Sequence, residues 1–264
     1  MQVKLLAFTI WTITTVIVFL FAGKYWWFPE SASSHGESID KQFMYTLWVT
    51  GAVFIIAQVA LGYLLVRYRE RPGQKAVYNH GNNKMELVWT LATTVLFYVM
   101  VIAGQGIWYG IYIEAAPPNV LQIEVTGQQF AWNIRYAGPD GEFGPVSPKL
   151  INDSAGNPLG LDLQNSASKD DLVVPTMAVP INRPIELLLR SKDVTHAFSV
   201  RELRIKQDTV PGLVIPIQFT ATRTGRFEIS CAELCGLGHH RMRSFIEILS
   251  EEDYSNWLVE QSEY

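Results

Sequence analysis

Charge is scarce in this chain. Of its 264 residues only 17% are Asp, Glu, Lys or Arg, against about a quarter in an average soluble domain, and the deficit is concentrated in three places. No charged residue lies between Lys4 and Lys24, between Lys41 and Arg67, or between Glu86 and Glu114, giving uncharged runs of 19, 25 and 27 residues. At about 1.5 Å of rise per helical residue, each run can cross a hydrocarbon core about 30 Å thick. This excludes a wholly soluble enzyme and predicts three membrane helices over about residues 5–23, 42–66 and 87–112. A surplus of basic charge is also missing. Residues 114–264 carry 20 acids against 13 bases, a balance that repels phosphate and excludes a nucleic-acid binder. Cysteine is the third scarcity: there are two, Cys231 and Cys235. No internal repeat is present.

The first apolar run follows a short basic start at Lys4, as a signal peptide would. It is longer than the usual h-region and ends in Lys24-Tyr25-Trp26-Trp27, an interfacial anchor, so it reads as a retained span. The loops set the orientation. The stretch from Arg67 to Glu86 holds five bases against two acids, and the stretch from Gly23 to Lys41 holds two bases against three acids. The positive loop stays inside. The N-terminus is then cytoplasmic, and the part after Glu114 lies outside a bacterial cell membrane, in the periplasm or an equivalent space. Trp108, Tyr109 and Tyr112 close the third span at that outer interface.

Residues 1–115 thus form a membrane anchor, and residues 116–264 an extracytoplasmic domain of different character. From Val120 to Tyr136, and again over Ile185 to Leu189, apolar and polar residues alternate; Arg226 to Ile229 and Phe245 to Leu249 read as further short strands. Short strands separated by Gly, Pro and Asn turns predict a small β-sandwich with Greek-key connections. The stretch from Ala137 to Asp171 reads as one long loop, either functional or disordered. A solvated terminal helix is expected to open at Ser250.

The two cysteines sit in Cys231-Ala-Glu-Leu-Cys235-Gly-Leu-Gly-His239-His-Arg-Met242, four soft or borderline metal ligands within twelve residues. A local Cys231–Cys235 bridge would explain neither the His nor the Met. Zinc would accept two thiolates and imidazoles but has no use for a thioether. Copper does, because thiolate, imidazole and a weak Met form the ligand set of cupredoxin-like electron-transfer sites. One further ligand must come from elsewhere. His35 and His80 flank the second span, and His240 neighbours His239 and is expected to point away from whatever His239 binds, which leaves His196.

These residues resemble the ligand pattern of subunit II of the haem-copper oxidases, that is, of cytochrome c oxidase. The family pattern C-x-E-x-C-x-x-x-H-x-x-M with an upstream D-V-x-H is met by Cys231, Glu233, Cys235, His239 and Met242 and by Asp193 to His196. The resemblance implies a cupredoxin-like fold holding a dinuclear copper centre, CuA. In it the two thiolates bridge two coppers, His196 and Met242 complete one ion, and His239 with the backbone carbonyl of Glu233 completes the other. It further implies single-electron transfer from an external c-type cytochrome, or another basic donor, to haem in subunit I, where oxygen reduction is coupled to proton pumping. The Glu233 side chain would help hold magnesium between subunits I and II. Lys206 to Gly212 looks like the family's K-x-D-x-x-P-G segment below the copper loop. Asn83-Lys-Met-Glu86-Leu-Val-Trp89-Thr90 looks like the L-E-x-x-W-T opening of the family's second helix, which would put Glu86 at the mouth of a proton channel shared with subunit I.

The chain departs from the family pattern in three ways. The family usually has two spans, so the first helix is an addition or an uncleaved signal-like anchor. The loop over 137–171 is long. The aromatic segment G-x-Q-W-x-W reads Gly127-Gln128-Gln129-Phe130-Ala131-Trp132, so Phe130 stands where the family's tryptophan admits electrons, with Trp132 the next candidate. Two alternatives share the ligand set: the copper subunit of a nitric oxide reductase of the same superfamily, and a membrane-tethered copper carrier. The two-cysteine loop speaks against mononuclear storage, and a quinol oxidase subunit II lacks the loop.

Overall fold

All but the last residue of the first and third uncharged runs, and the whole of the second, form helices α1 (Gln2–Ala22), α3 (Asn83–Tyr112) and α2 (Ser34–Arg67) of the computed structural model, which describes residues 2–23, 28–75, 77–78 and 80–262. The expected anchor Lys24-Tyr25-Trp26-Trp27 lies outside the described residues. The chain divides into a helical unit, residues 1–28 and 40–106, and a β unit, residues 29–39 and 107–264.

Within the helical unit, large apolar side chains such as Phe8, Ile17, Phe54, Ile56, Val95 and Phe97 are exposed, as helices that face lipid require. Polar groups in the same helices are satisfied locally. The hydroxyls of Thr9, Thr15, Thr50 and Thr93 donate to the carbonyls of Leu5, Trp11, Thr46 and Trp89 one turn back, which removes the cost of an unpaired donor in hydrocarbon. Gly62 of α2 admits the indole of Trp11, since a Cβ there would come within 2.3 Å of its Nε1. Helix α3 starts on Asn82, whose side-chain oxygen accepts from the N–H groups of Lys84 and Met85 at 3.1 and 3.2 Å.

The β unit holds ten strands among the described residues: β1 (Leu121–Gln128), β2 (Ala131–Tyr136), β3 (Leu172–Val174), β4 (Met177–Pro180), β5 (Pro184–Ser191), β6 (His196–Val200), β7 (Ile205–Thr209), β8 (Ile215–Thr220), β9 (Gly225–Cys231) and β10 (Arg243–Leu249). One sheet runs β3-β2-β1-β5-β8 and the other β4-β10-β9-β6-β7. The alternating stretch from 120 to 136 is a hairpin, with Gly127 opposite Trp132 and Gln128 opposite Ala131, so that Gln129 and Phe130 form its turn. β1 also pairs in parallel with β5, and β4 with β10. Period-two alternation sends Ile123, Val125, Ile134, Leu187, Phe198, Ile229 and Ile246 into one buried cluster between the sheets.

On the other face of β1, Glu124 is buried between Arg135 and Arg190, at 3.0 and 2.7 Å. Arg135, itself 1% exposed, also donates to the carbonyl of Gly144 and to Asp171, and its guanidinium lies over the ring of Phe143 at 5.1 Å. Asp171 ends the long loop and residues 143–144 lie a few residues after its start, so one side chain draws the two together. The stretch read as one long loop carries 3-10 turns at Pro148–Leu150 and Asp153–Ala155, a one-turn helix α4 (Ser166–Lys169) and a bridge between Val146 and Leu161. Short-range caps by Ser147, Asn152 and Asn165 form these turns, and such capping is weakly visible in a sequence without strand or helix periodicity.

Residues 29–33 belong to the β unit as well. The N–H of Ala32 donates to Glu202 O at 2.7 Å, the N–H of Thr222 to Ala32 O at 2.8 Å, and the Ser33 hydroxyl to Leu203 O at 2.7 Å. Arg204 and Arg223 hold the carbonyls of Pro29 and Glu30. The C-terminal helix α5 (Glu251–Ser262) starts at Ser250, whose hydroxyl oxygen accepts from the N–H of Asp253 at 3.1 Å. It sets Trp257 against Tyr136, with ring centroids 5.4 Å apart.

Candidate metal centre

The candidate ligands converge at one end of the second sheet. β9 delivers Cys231 at its last residue, β6 delivers His196 at its first, and the pairing of Phe198 with Cys231 brings the two strand ends together. Cys235 follows in the connecting loop, His239 opens a 3-10 turn, and Met242 closes that turn before β10. The Cys231 and Cys235 sulfurs are 3.8 Å apart, and both cysteines are free and buried. His196 Nδ1 lies 3.9 Å from Cys231 Sγ, and the carbonyl oxygen of Glu233 3.1 Å from the same sulfur. Met242 Sδ and His239 Nδ1 lie 3.7 and 3.6 Å from Cys235 Sγ. His196 is fully buried, Met242 is buried and His239 half-buried, whereas His240 and the Glu233 side chain face solvent.

Two thiols, two imidazoles, a thioether and a carbonyl thus surround one space, each within 3.1 to 3.9 Å of one of the two sulfurs. The two cysteines and His196 alone satisfy the spacing of a metal-binding group. A buried thioether beside paired thiols suits copper and offers zinc nothing. The residues present therefore fit a copper site.

The surrounding side chains orient this set. His196 Nε2 bonds Asp193 Oδ1 at 2.8 Å, which leaves Nδ1 free to face Cys231. Burial alone would push the Asp193 carboxyl up. The N–H of Gln129, the His196 ring and the N–H of Val194 outweigh it and hold the group below the usual carboxylate range. Burial, followed by the hydrogen bond and charge of Cys231, pushes the Cys235 thiol up to about 11. A metal at this position therefore has to displace a proton to bind sulfur. Gly127 lets the His196 ring lie against β1, because a Cβ there would meet His196 Cδ2 at 2.9 Å.

Phe130 packs on the ligand loop: a Cβ on Gly238 would come within 2.4 Å of its ring. Its outer edge is open, at 37% exposure, beside Leu237, which is 97% exposed. Trp132 is 2% exposed and sits inside the core, 6.0 Å from the His196 ring centroid. Glu86 lies in the first turn of α3, in the helical unit and outside this ligand group. Sequence reasoning missed Gln129 and the glycines at 127, 236 and 238. The glycine pair flanking Leu237 was the available signal, since both positions leave room for a ring.

Comparison with known proteins identifies the family of both parts of the chain. Residues 121–249 match the family described as cytochrome C oxidase subunit II, periplasmic domain, and residues 21–105 match its transmembrane domain. Helix α1 lies almost wholly before the matched stretch. The alternative cytochrome c oxidase subunit 2 of Bradyrhizobium diazoefficiens is 35% identical over 241 residues, covering 90% of this chain and 85% of the relative. Cytochrome c oxidase subunit 2 of a Synechocystis species is 26% identical over 268 residues, 94% and 79% of the two chains. The solved periplasmic domain of cytochrome oxidase subunit II from Bradyrhizobium japonicum is 27% identical, with a TM-score of 0.41, and covers 56% of this chain and 98% of that one. With the periplasmic domain matched over residues 121–249, the transmembrane domain over residues 21–105 and a relative 35% identical across 90% of its length, the chain belongs to the cytochrome c oxidase subunit II family.

Proposed function

We propose that the site takes up two copper ions and that the chain receives single electrons there from an external donor, for delivery to haem in a catalytic partner subunit that reduces oxygen. The observation that carries this reading is the pair of free, buried sulfurs 3.8 Å apart with donors flanking each. A copper pair bridged by two thiolates supplies one-electron transfer with little change in geometry. The chain's own residues do the rest. Cys231, Cys235, His196, His239, Met242 and the Glu233 carbonyl would hold the copper ions. Asp193 fixes the His196 tautomer, and the buried Met242 and Phe198 keep water away. Half-buried His239 and the open edge of Phe130 provide the route by which electrons reach the site, while buried Trp132 has no surface from which to receive them. The Glu233 carboxylate, exposed beside the loop, is free to hold magnesium against the catalytic subunit.

The test is metal analysis and EPR of the copper-loaded full chain. Two coppers per chain and a seven-line mixed-valence spectrum are expected. Cys235→Ser should lose the delocalised signal and His240→Ala should keep it. A single copper, or a four-line spectrum after full loading, would refute the dinuclear centre.

A further inference from the structure

The β1–β2 turn touches both chain segments that carry ligands, although it carries none itself. The backbone N–H of Gln129 donates to Asp193 Oδ2 at 2.7 Å, and the other oxygen of that carboxylate holds the His196 ring. The Gln129 side chain reaches the opposite way, its Nε2 donating to the carbonyl of Cys235 at 2.6 Å. Its neighbour Gln128 bonds Lys192 instead, at 2.8 Å, and makes no recorded contact with the cysteine loop. Close approach is allowed by Gly236, at φ +129°, where a Cβ would come within 2.8 Å of the Gln129 amide nitrogen. From Cys231 to Met242 the loop is closed at its ends by the Cys231 N–H donating to Met242 O at 3.2 Å, its other internal backbone bonds lie in and just before the 3-10 turn, and the Ala232 N–H donates to the Ala197 carbonyl at 3.0 Å. Between those points, at Cys235, the Gln129 amide is the bond that ties the loop to the other sheet.

We propose that Gln129 is a positioning residue of the metal centre, a two-armed clasp that sets the Cys235 sulfur relative to His196 before any metal binds. This rests on the assignment of Cys235 and His196 as ligands. Its metal-free consequence can be measured without that assignment. The Cys235 thiol is buried, so alkylation requires the loop to open first, and the rate reads the opening equilibrium. Losing one partly exposed hydrogen bond is worth about 0.5 to 1.5 kcal/mol, which corresponds to an acceleration of about two- to twelvefold.

The experiment uses the metal-free full chain in detergent, with iodoacetamide labelling of Cys235 followed by peptide mass spectrometry. Gln129→Met keeps the side-chain length and removes the donor, and it should speed Cys235 labelling at least about twofold. Gln129→Glu sets a carboxylate against the carbonyl and should do the same, which covers failure of the first variant to fold. Gln128→Met, in the same turn, should label at the wild-type rate. After copper loading, the Gln129 variants should also show altered hyperfine splitting and a shifted midpoint potential. Equal labelling of wild type and both Gln129 variants, or equal acceleration by Gln128→Met, would overturn the proposal. If wild type failed to give a dinuclear spectrum, the copper reading would fall while the labelling result still decided the clasp.

Discussion

At the scale of single residues, the candidate centre is held in shape by side chains outside the proposed ligand set. Asp193 accepts from His196 Nε2 and from two backbone N–H groups, and that ring nitrogen has no other partner among the described residues. Replacing it with Leu should lower copper affinity by about 10- to 100-fold, the usual effect of removing the group behind a ligating histidine. The fold should survive, because Asp193 lies at the edge of the domain. Competitive copper titration of the full chain, set beside its thermal unfolding, checks both halves. Equal loss of affinity and of melting temperature would show a role in folding alone. The contrast with the ligands explains what was readable beforehand. Cys231, Cys235, His239 and Met242 crowd into twelve residues and carry unmistakable chemistry, and His196 was left by elimination. Gln129 and Gly127 carry no such mark. Their importance comes only from the hairpin that brings them to the ligands across the sandwich.

At the scale of elements, the alternation along β1, β2, β5, β9 and β10 made the sandwich legible, since one face of each had to be buried. The long loop was not, because its order comes from Arg135, a residue that belongs to a strand. Arg135 joins Glu124 on the sheet to Gly144, a few residues after the start of the loop, and to Asp171 at its end, all out of contact with water. Removing one partner of such a network leaves charge buried and unpaired, which costs about 3 to 5 kcal/mol. Arg135→Met should therefore destabilise the β unit by that amount and free the loop at its neck. Limited proteolysis is the direct check: cleavage within 137–171 should rise sharply in the variant and stay slow in the wild type. Unchanged cleavage would mean that the local turns and the Lys192–Asp153 ion pair, at 3.0 Å, hold the loop by themselves.

At the scale of the whole molecule, the scarcity of charge and its placement give the chain two functional ends. Residues 29–39 and 107–264 form one unit, so the connection between α1 and α2 lies on the same side of the membrane as the metal centre. The basic α2–α3 loop lies on the other, with Glu86 just beyond it in the first turn of α3. Electron intake belongs to the first side, where 20 acids against 13 bases favour a cationic donor. Proton intake, if Glu86 opens a channel, belongs to the second. One stopped-flow experiment on the assembled oxidase separates them. Reduction of the copper centre by a basic c-type cytochrome should slow by about tenfold or more between 0.01 M and 0.15 M salt, as the Debye length falls from about 30 to about 8 Å. Glu86→Gln should leave that phase and its salt dependence unchanged, because the carboxylate belongs to the helical unit and not to the unit that carries the candidate ligands. The later haem reduction should slow in the variant at every salt concentration. A flat salt response would refute electrostatic docking, and a Glu86→Gln enzyme with both phases at wild-type rates would refute the proton role.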